Sequence, residues 1–228
     1  MTDPLALVTL AVAAAGGRMA GHDSGSLVAA GHTLLQRSAV LVRALTTLRS
    51  AVWLPTGGPW LTALAASDGR GALLLDPQLS GIAVADRCAR EGVGALFTVA
   101  PLARAADTAL ASELIQIWLD DAPVSAAVIS RDGDRRVERR IDLGAHFGID
   151  LAGDTATEGR DEPFVHVDGG WHTHRALLAA ARTHAAVQGL TPVHWMPPTS
   201  HWTLDGLVHQ VGMLLQGGTI THGDAPAA

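Results

Sequence analysis

Hydrophobic positions along this chain fall into two kinds of stretch. Ala51–Leu54, Arg70–Leu75, Ala95–Val99, Leu114–Leu119, Phe164–Val167 and Val193–Met196 are short, nearly continuous apolar runs. Runs of that length without polar alternation predict strands buried on both faces. Between them, apolar residues recur at helical spacing over Leu27–Leu48 (around Leu34, Val42 and Leu45), Trp60–Ser67, Leu79–Glu91 and Leu204–Leu215. A further helix is expected from Thr173, an N-cap residue followed by Leu177, Leu178 and Ala181. Leu5–Ala15 reads as a first buried helix and Thr219–Thr221 as a last short strand. Short buried strands alternating with helices predict an α/β fold: three layers, with a mostly parallel sheet flanked by helices.

The middle of the chain breaks this rhythm. Val124–Ser130 and Arg135–Leu143 flank Arg131-Asp132-Gly133-Asp134, and an Asp-Gly between two β-like runs predicts a β-hairpin insertion that projects from the sheet or forms a small antiparallel extension of it. Residues 144–162 are rich in Gly, Asp and Thr and are expected to form a flexible loop, with 223–228 a tail. No internal repeat interrupts the pattern, so residues 1–228 are expected to form a single domain.

Composition narrows the function classes. Hydrophobic residues make up 48% of the 228 residues and charged ones 17%, the balance of a globular chain. A net charge of −6 argues against a general nucleic-acid binder, which needs a concentrated basic face. Cys88 is the one cysteine, so neither an intramolecular disulfide nor a multi-cysteine metal site is available. The apolar run at Leu5–Ala15 follows Asp3 and Pro4 rather than a basic segment, unlike an export signal, and is too short to span a bilayer. A cytoplasmic protein without membrane insertion is the expectation.

Candidate chemistry gathers at Asp161–Ala181. A strand, a Gly169-Gly170 turn and a helix starting near Thr173 would make a place for an anion on backbone amides, although the turn is short and carries Asp168. His166, His172 and His174 are weak candidates for a metal site. His172 and His174 lie two positions apart and would face different sides of a helix. His194, His201 and His209 show no common face. Gly21-His22-Asp23-Ser24-Gly25 holds the residue types of a hydrolase triad, but contiguous residues rarely assemble one. Arg135, Arg136, Arg139 and Arg140 interleave with Asp132, Asp134 and Glu138, as on a solvated hairpin face. Trp171, Trp195 and Trp202 fall in the last third, where they would serve a core or line a pocket.

The order of these segments resembles the adenylate-forming superfamily, the AMP-dependent acyl-CoA synthetases and adenylation domains. AVWLPTGGPW at Ala51–Trp60 is similar to V-A-L-L-L-P-N-S-P-E-W of that family. LTALAASDGRGALLLDP at Leu61–Pro77 resembles its A-x-L-x-A-G-A-V-x-x-P-L-D-P continuation. THRALLA at Thr173–Ala179 matches the segment after the family's phosphate loop. Pro197–Asp224, with His201, Gly206 and Leu207, resembles the F-H-x-x-G-L segment near the acyl pocket.

The resemblance implies the N-terminal part of the large domain standing alone, similar to truncated relatives in actinobacteria. It also exposes departures. The family's Ser/Thr/Gly-rich loop ending in P-K-G is replaced by Asp168-Gly169-Gly170-Trp171-His172, and all 16 basic residues are arginine, with no lysine. A non-catalytic protein without a cofactor is therefore expected, acting by binding or assembly. Homodimerisation, or a protein partner, would cover the face left by truncation. The alternatives are a sensor for an acyl or nucleotide ligand, and an enzyme of another class using the histidines. Ligand contacts are expected at His166, Trp171, Thr173, His174, His201 and Trp202.

Overall fold

The computed structural model of the chain describes residues 7–41, 48–55, 59–68, 70–106, 114–119, 125–132, 135–142, 161–192, 195–196 and 200–221. Residues 144–160 of the expected 144–162 loop and the tail at 223–228 lie outside them. The first elements are α1 (Val8–Ala15), β1 (Arg18–Met19), β2 (His22–Asp23), α2 (Ser24–Leu41) and β3 (Arg49–Val52). Then come α3 (Trp60–Ala65), β4 (Ala72–Leu74), α4 (Gly81–Arg90), β5 (Val93–Thr98) and α5 (Ala100–Ala105). The middle holds β6 (Ile115–Leu119), β7 (Ser125–Asp132) and β8 (Arg135–Asp142). The last third holds β9 (Pro163–Val167), β10 (Gly170–Thr173), α6 (His174–Gln188), β11 (Trp195–Met196), α7 (Leu204–Leu215) and β12 (Thr219–Ile220).

The large sheet has the order β10-β9-β4-β3-β5-β6-β7-β8. Its centre, β9 through β6, is parallel. Its edges are antiparallel, with β10 beside β9 and the β7–β8 hairpin beside β6. The apolar runs are continuous because both faces are covered. Val52, Leu54, Ala72, Leu74 and Phe97 join the main core with side chains of α1, α2, α3, α6 and α7. Their neighbours Ala51, Trp53, Leu73, Leu75 and Leu96 pack on the other side against Val84 and Cys88 of α4. Period-two alternation thus feeds two cores from the same strands, giving the expected three-layer α/β architecture.

Two sequence expectations change and one alternative is decided. The run at Val193–Met196 does not join the large sheet. Its described residues form β11, parallel to β12 in a smaller sheet of order β11-β12-β1-β2, because β10 already closes the edge beyond β9. Of the two expected placements of the 124–143 hairpin, its described residues take the antiparallel extension: they continue the large sheet, with Ala126, Val128 and Ile141 in the main core. The early helix begins at Ser24 instead of Leu27.

Candidate functional site

The turn between β9 and β10 is the feature from which the candidate site is built. Gly170 pairs with Val167, leaving Asp168 and Gly169 as the whole loop. Both have positive φ, 50° and 79°, as a tight hairpin turn with right-handed strand twist requires. Glycine takes that conformation without a Cβ penalty, and aspartate is among the few other residues that tolerate it. The expected Gly169-Gly170 turn is therefore shifted by one residue, and Gly170 opens a strand. That strand separates the turn from α6, so the turn and the α6 N-terminus do not make one anion niche, in keeping with the shortness of the turn.

Each nearby helix start is already served. Thr173 caps α6 as expected, its Oγ1 accepting from the Ala176 amide at 3.1 Å. At α7, the Thr203 hydroxyl accepts from the Gly206 amide at 3.3 Å. The Asp168 carboxylate reaches across from the turn and accepts from the Leu204 amide at 2.8 Å. A helix N-terminus attracts anions, and here the protein supplies its own.

The hairpin also distributes the histidines. The register skips Phe164 between the His172 and Thr173 pairings, and Phe164 and Val165 both enter the main core. Strict alternation would send neighbours to opposite faces; the bulge sends both the same way. His166 pairs in register with Leu73 and faces the α4 side. Its Nε2 lies 4.0 Å from a Glu91 carboxylate oxygen, and its ring meets the Trp171 edge at 5.2 Å. The Arg49 guanidinium sits 5.0 Å above the same indole. His172 pairs with Val165 and so takes the opposite face. His174 is buried, stacked on Phe164 at 3.7 Å, with Nδ1 accepting from the Val8 amide at 3.2 Å. Burial pushes its pKa down to about 4, against a weak opposing pull from Asp68. The three histidines do not converge, and among the described residues no group of three or more His, Cys, Asp or Glu could hold a metal ion.

His201 and Trp202 lie in the turn before α7. His201 is fully buried, stacked on Trp60 at 5.7 Å and edge-on to Trp202 at 5.0 Å. Among the described residues neither of its ring nitrogens has a hydrogen-bond partner, and burial pushes its pKa down to about 3. Trp60 itself is satisfied, donating from Nε1 to Gln210 Oε1 at 2.9 Å. The expected ligand residues thus form separate groups: His166 with Trp171 on the α4 side, His174 and Thr173 at the start of α6, and His201 with Trp202 before α7.

The His22-Asp23-Ser24 cluster is structural. Asp23 caps α2, accepting from the Gly25 and Ser26 amides at 3.0 and 3.1 Å, while the buried Ser24 hydroxyl donates to the Val12 carbonyl. Sequence reasoning missed two other groups. Asp68 accepts from the Thr9 hydroxyl at 2.7 Å and lies 3.1 Å from His32 Nε2, joining α1 and α2 to the segment after α3. His184 and His209 meet across α6 and α7. Both groups join residues far apart in sequence, for which spacing carries no signal.

No protein-family model and no curated protein matches this sequence. Solved structures do match its fold. The N-terminal domain of FACL13 from Mycobacterium tuberculosis matches with a TM-score of 0.66 and 15% identity, over 96% of this chain and 58% of that one. A nonribosomal peptide synthetase, FmoA3, matches with a TM-score of 0.65 and 17% identity, over 95% of this chain and 22% of that one. O-succinylbenzoate coenzyme A synthetase (MenE) from Bacillus subtilis, in complex with ATP and magnesium ion, matches with a TM-score of 0.59 and 16% identity, over 90% and 53%. The chain thus has the fold of part of the adenylate-forming enzymes, as its motifs imply. It spans between 22% and 58% of the length of these three structures.

Proposed function

We propose that the chain is a non-catalytic, acyl-CoA-synthetase-like protein, a pseudoenzyme that works by binding or assembly. The Asp168–Gly169 turn carries this reading. In the superfamily whose motifs the chain resembles, a Ser/Thr/Gly-rich loop ending in P-K-G precedes T-H-R and cradles the ATP phosphates. Here two residues span that place, offering neither a run of free amides nor hydroxyls, and the chain has no lysine to add charge. The carboxylate of Asp168 would repel a triphosphate. Two like unit charges at 4 Å cost about 1 kcal/mol in water and about 4 kcal/mol at an effective dielectric near 20. Titrating magnesium-ATP into the chain while following its melting temperature tests this. No shift is expected at millimolar nucleotide, and a saturable rise would overturn the reading.

One observation favours a second reading, a sensor for a small acyl or nucleotide ligand. His201 is buried, with both nitrogens unpartnered among the described residues, and buried polar groups in native proteins are rarely left so. A ligand supplying one donor or acceptor beside Trp60 and Trp202 would satisfy it. An enzyme of another class has less support, because His166, His172 and His174 diverge. Assembly would involve a second copy or another protein partner. The large exposed hydrophobics among the described residues are only Ile82 and Val187, on α4 and α6, so such an interface is expected to be largely polar. Light scattering across a dilution series reads the oligomeric state. Among the described residues no helix is long and apolar enough to cross a membrane.

A further inference from the structure

Helices α6 and α7 cross closely. A Cβ on Gly212 would come within 3.0 Å of the Ala181 carbonyl oxygen and 3.7 Å of the Ala185 side chain, so a larger residue would push the helices apart. His184 follows Ala181 by three residues and His209 precedes Gly212 by three, about one turn from the crossing on each helix. There the rings meet edge to face, with centroids 4.8 Å apart and planes at 75°. His184 Nε2 lies 2.6 Å from His209 Nδ1, and both side chains are half-buried. The tight crossing fixes both backbones, so the two nitrogens are held together before any ligand arrives.

We propose that His184 and His209 form a two-histidine site for copper(II) or nickel(II) that bridges α6 and α7. Neutral imidazole is a ligand these ions favour. With metal–nitrogen bonds of about 2.0–2.1 Å, nitrogens 2.6 Å apart subtend roughly 80° at the ion. Adjacent positions of a square-planar or octahedral ion need about 90°, reached by opening the pair a few tenths of an ångström. The tetrahedral angle that zinc prefers, about 109°, would require a considerably wider opening. No third His, Cys, Asp or Glu completes the group among the described residues, so water or a small ligand fills the remaining positions. The ring that now donates to its neighbour carries its proton on its other nitrogen once the ion binds, so both lone pairs become available without net proton loss.

The test is copper(II) titrated into the wild-type chain and into His184→Ala and His209→Gln, with circular dichroism confirming that each variant folds. Eleven histidines give background binding, so imidazole NMR at substoichiometric copper supplies the site. His184 and His209 signals should broaden first, and either substitution should weaken the tightest site by roughly tenfold or more, since even outer partners of a metal ligand are worth about that much. Undiminished affinity in both variants, or broadening led by other histidines, would overturn the proposal.

Discussion

β1 turns through Ala20 and Gly21 into β2, which runs directly into α2; β9 turns through Asp168 and Gly169 into β10, which runs directly into α6. Both loops have two residues of positive φ, and both hairpins contain an aspartate that accepts amides at a helix start. In the first, Asp23 caps the helix that follows it. In the second, Thr173 already caps α6, and Asp168 is left to reach α7, 36 residues further on. One device closes a local unit; the other joins two helices across the fold. The difference also shows in what surrounds them. The second hairpin runs into the buried His174 and bonds to the helix that follows the buried His201, whereas His22 of the first is half-buried.

Acid should break the comparison most strongly. His174 and His201 have native pKa values pushed down to about 4 and about 3 from 6.5. Their neutral forms contribute stability that is fully present above pH 6.5. It is lost as pH falls, because the unfolded chain binds protons that the native one refuses. Between pH 7 and pH 4 the loss is on the order of 5 kcal/mol. Hydrogen exchange at falling pH should open α6 and α7 before α2. Simultaneous opening of all three would show that these histidines do not govern the order.

Substituting the two histidines sharpens the contrast. His174→Phe leaves the Val8 amide without its acceptor and should cost about 1–3 kcal/mol. His201→Phe removes two unpartnered nitrogens from the core and should stabilise by roughly 1 kcal/mol or more, by the same reasoning. Urea midpoints should therefore move in opposite directions. A destabilised His201→Phe variant would mean that the imidazole makes contacts its ring geometry does not reveal.

The smallest effects concern the carboxylates. Asp23→Ala and Asp168→Ala should each cost about 1 kcal/mol, the usual worth of a helix cap, but in different places. Exchange should rise at the first amides of α2 in one variant and of α7 in the other. Because the two caps share no partner, the double variant should show additive costs.

Much of the fold was legible because its central strands are buried on both faces, and that burial leaves continuous apolar runs in the chain. Ala51–Leu54 and Ala95–Val99 lie within two residues of the observed β3 and β5 boundaries. β1 and β2, two residues each, are too short to carry a period. The six-residue α5 was missed for the same reason, and because Pro101 and Arg104 interrupt its apolar residues. The Val193–Met196 run looked like another central strand because periodicity gives a strand but not its neighbour. At the candidate site, Thr173 was readable as a cap from its own chemistry. The turn was misplaced by one residue because aspartate can accept the left-handed conformation that Gly169-Gly170 seemed to claim. His172 could not be placed before β10 was known, since the pleat decides its face.

The central claim is that the turn at Asp168 and Gly169 has replaced a phosphate-binding loop with a structural link to α7. Pyrophosphate exchange into ATP, measured on the purified chain with magnesium and a panel of fatty and aromatic carboxylic acids, tests it most directly. The account predicts exchange indistinguishable from a no-protein control for every acid. Acid-dependent exchange above that control, lost on heat inactivation of the protein, would contradict it.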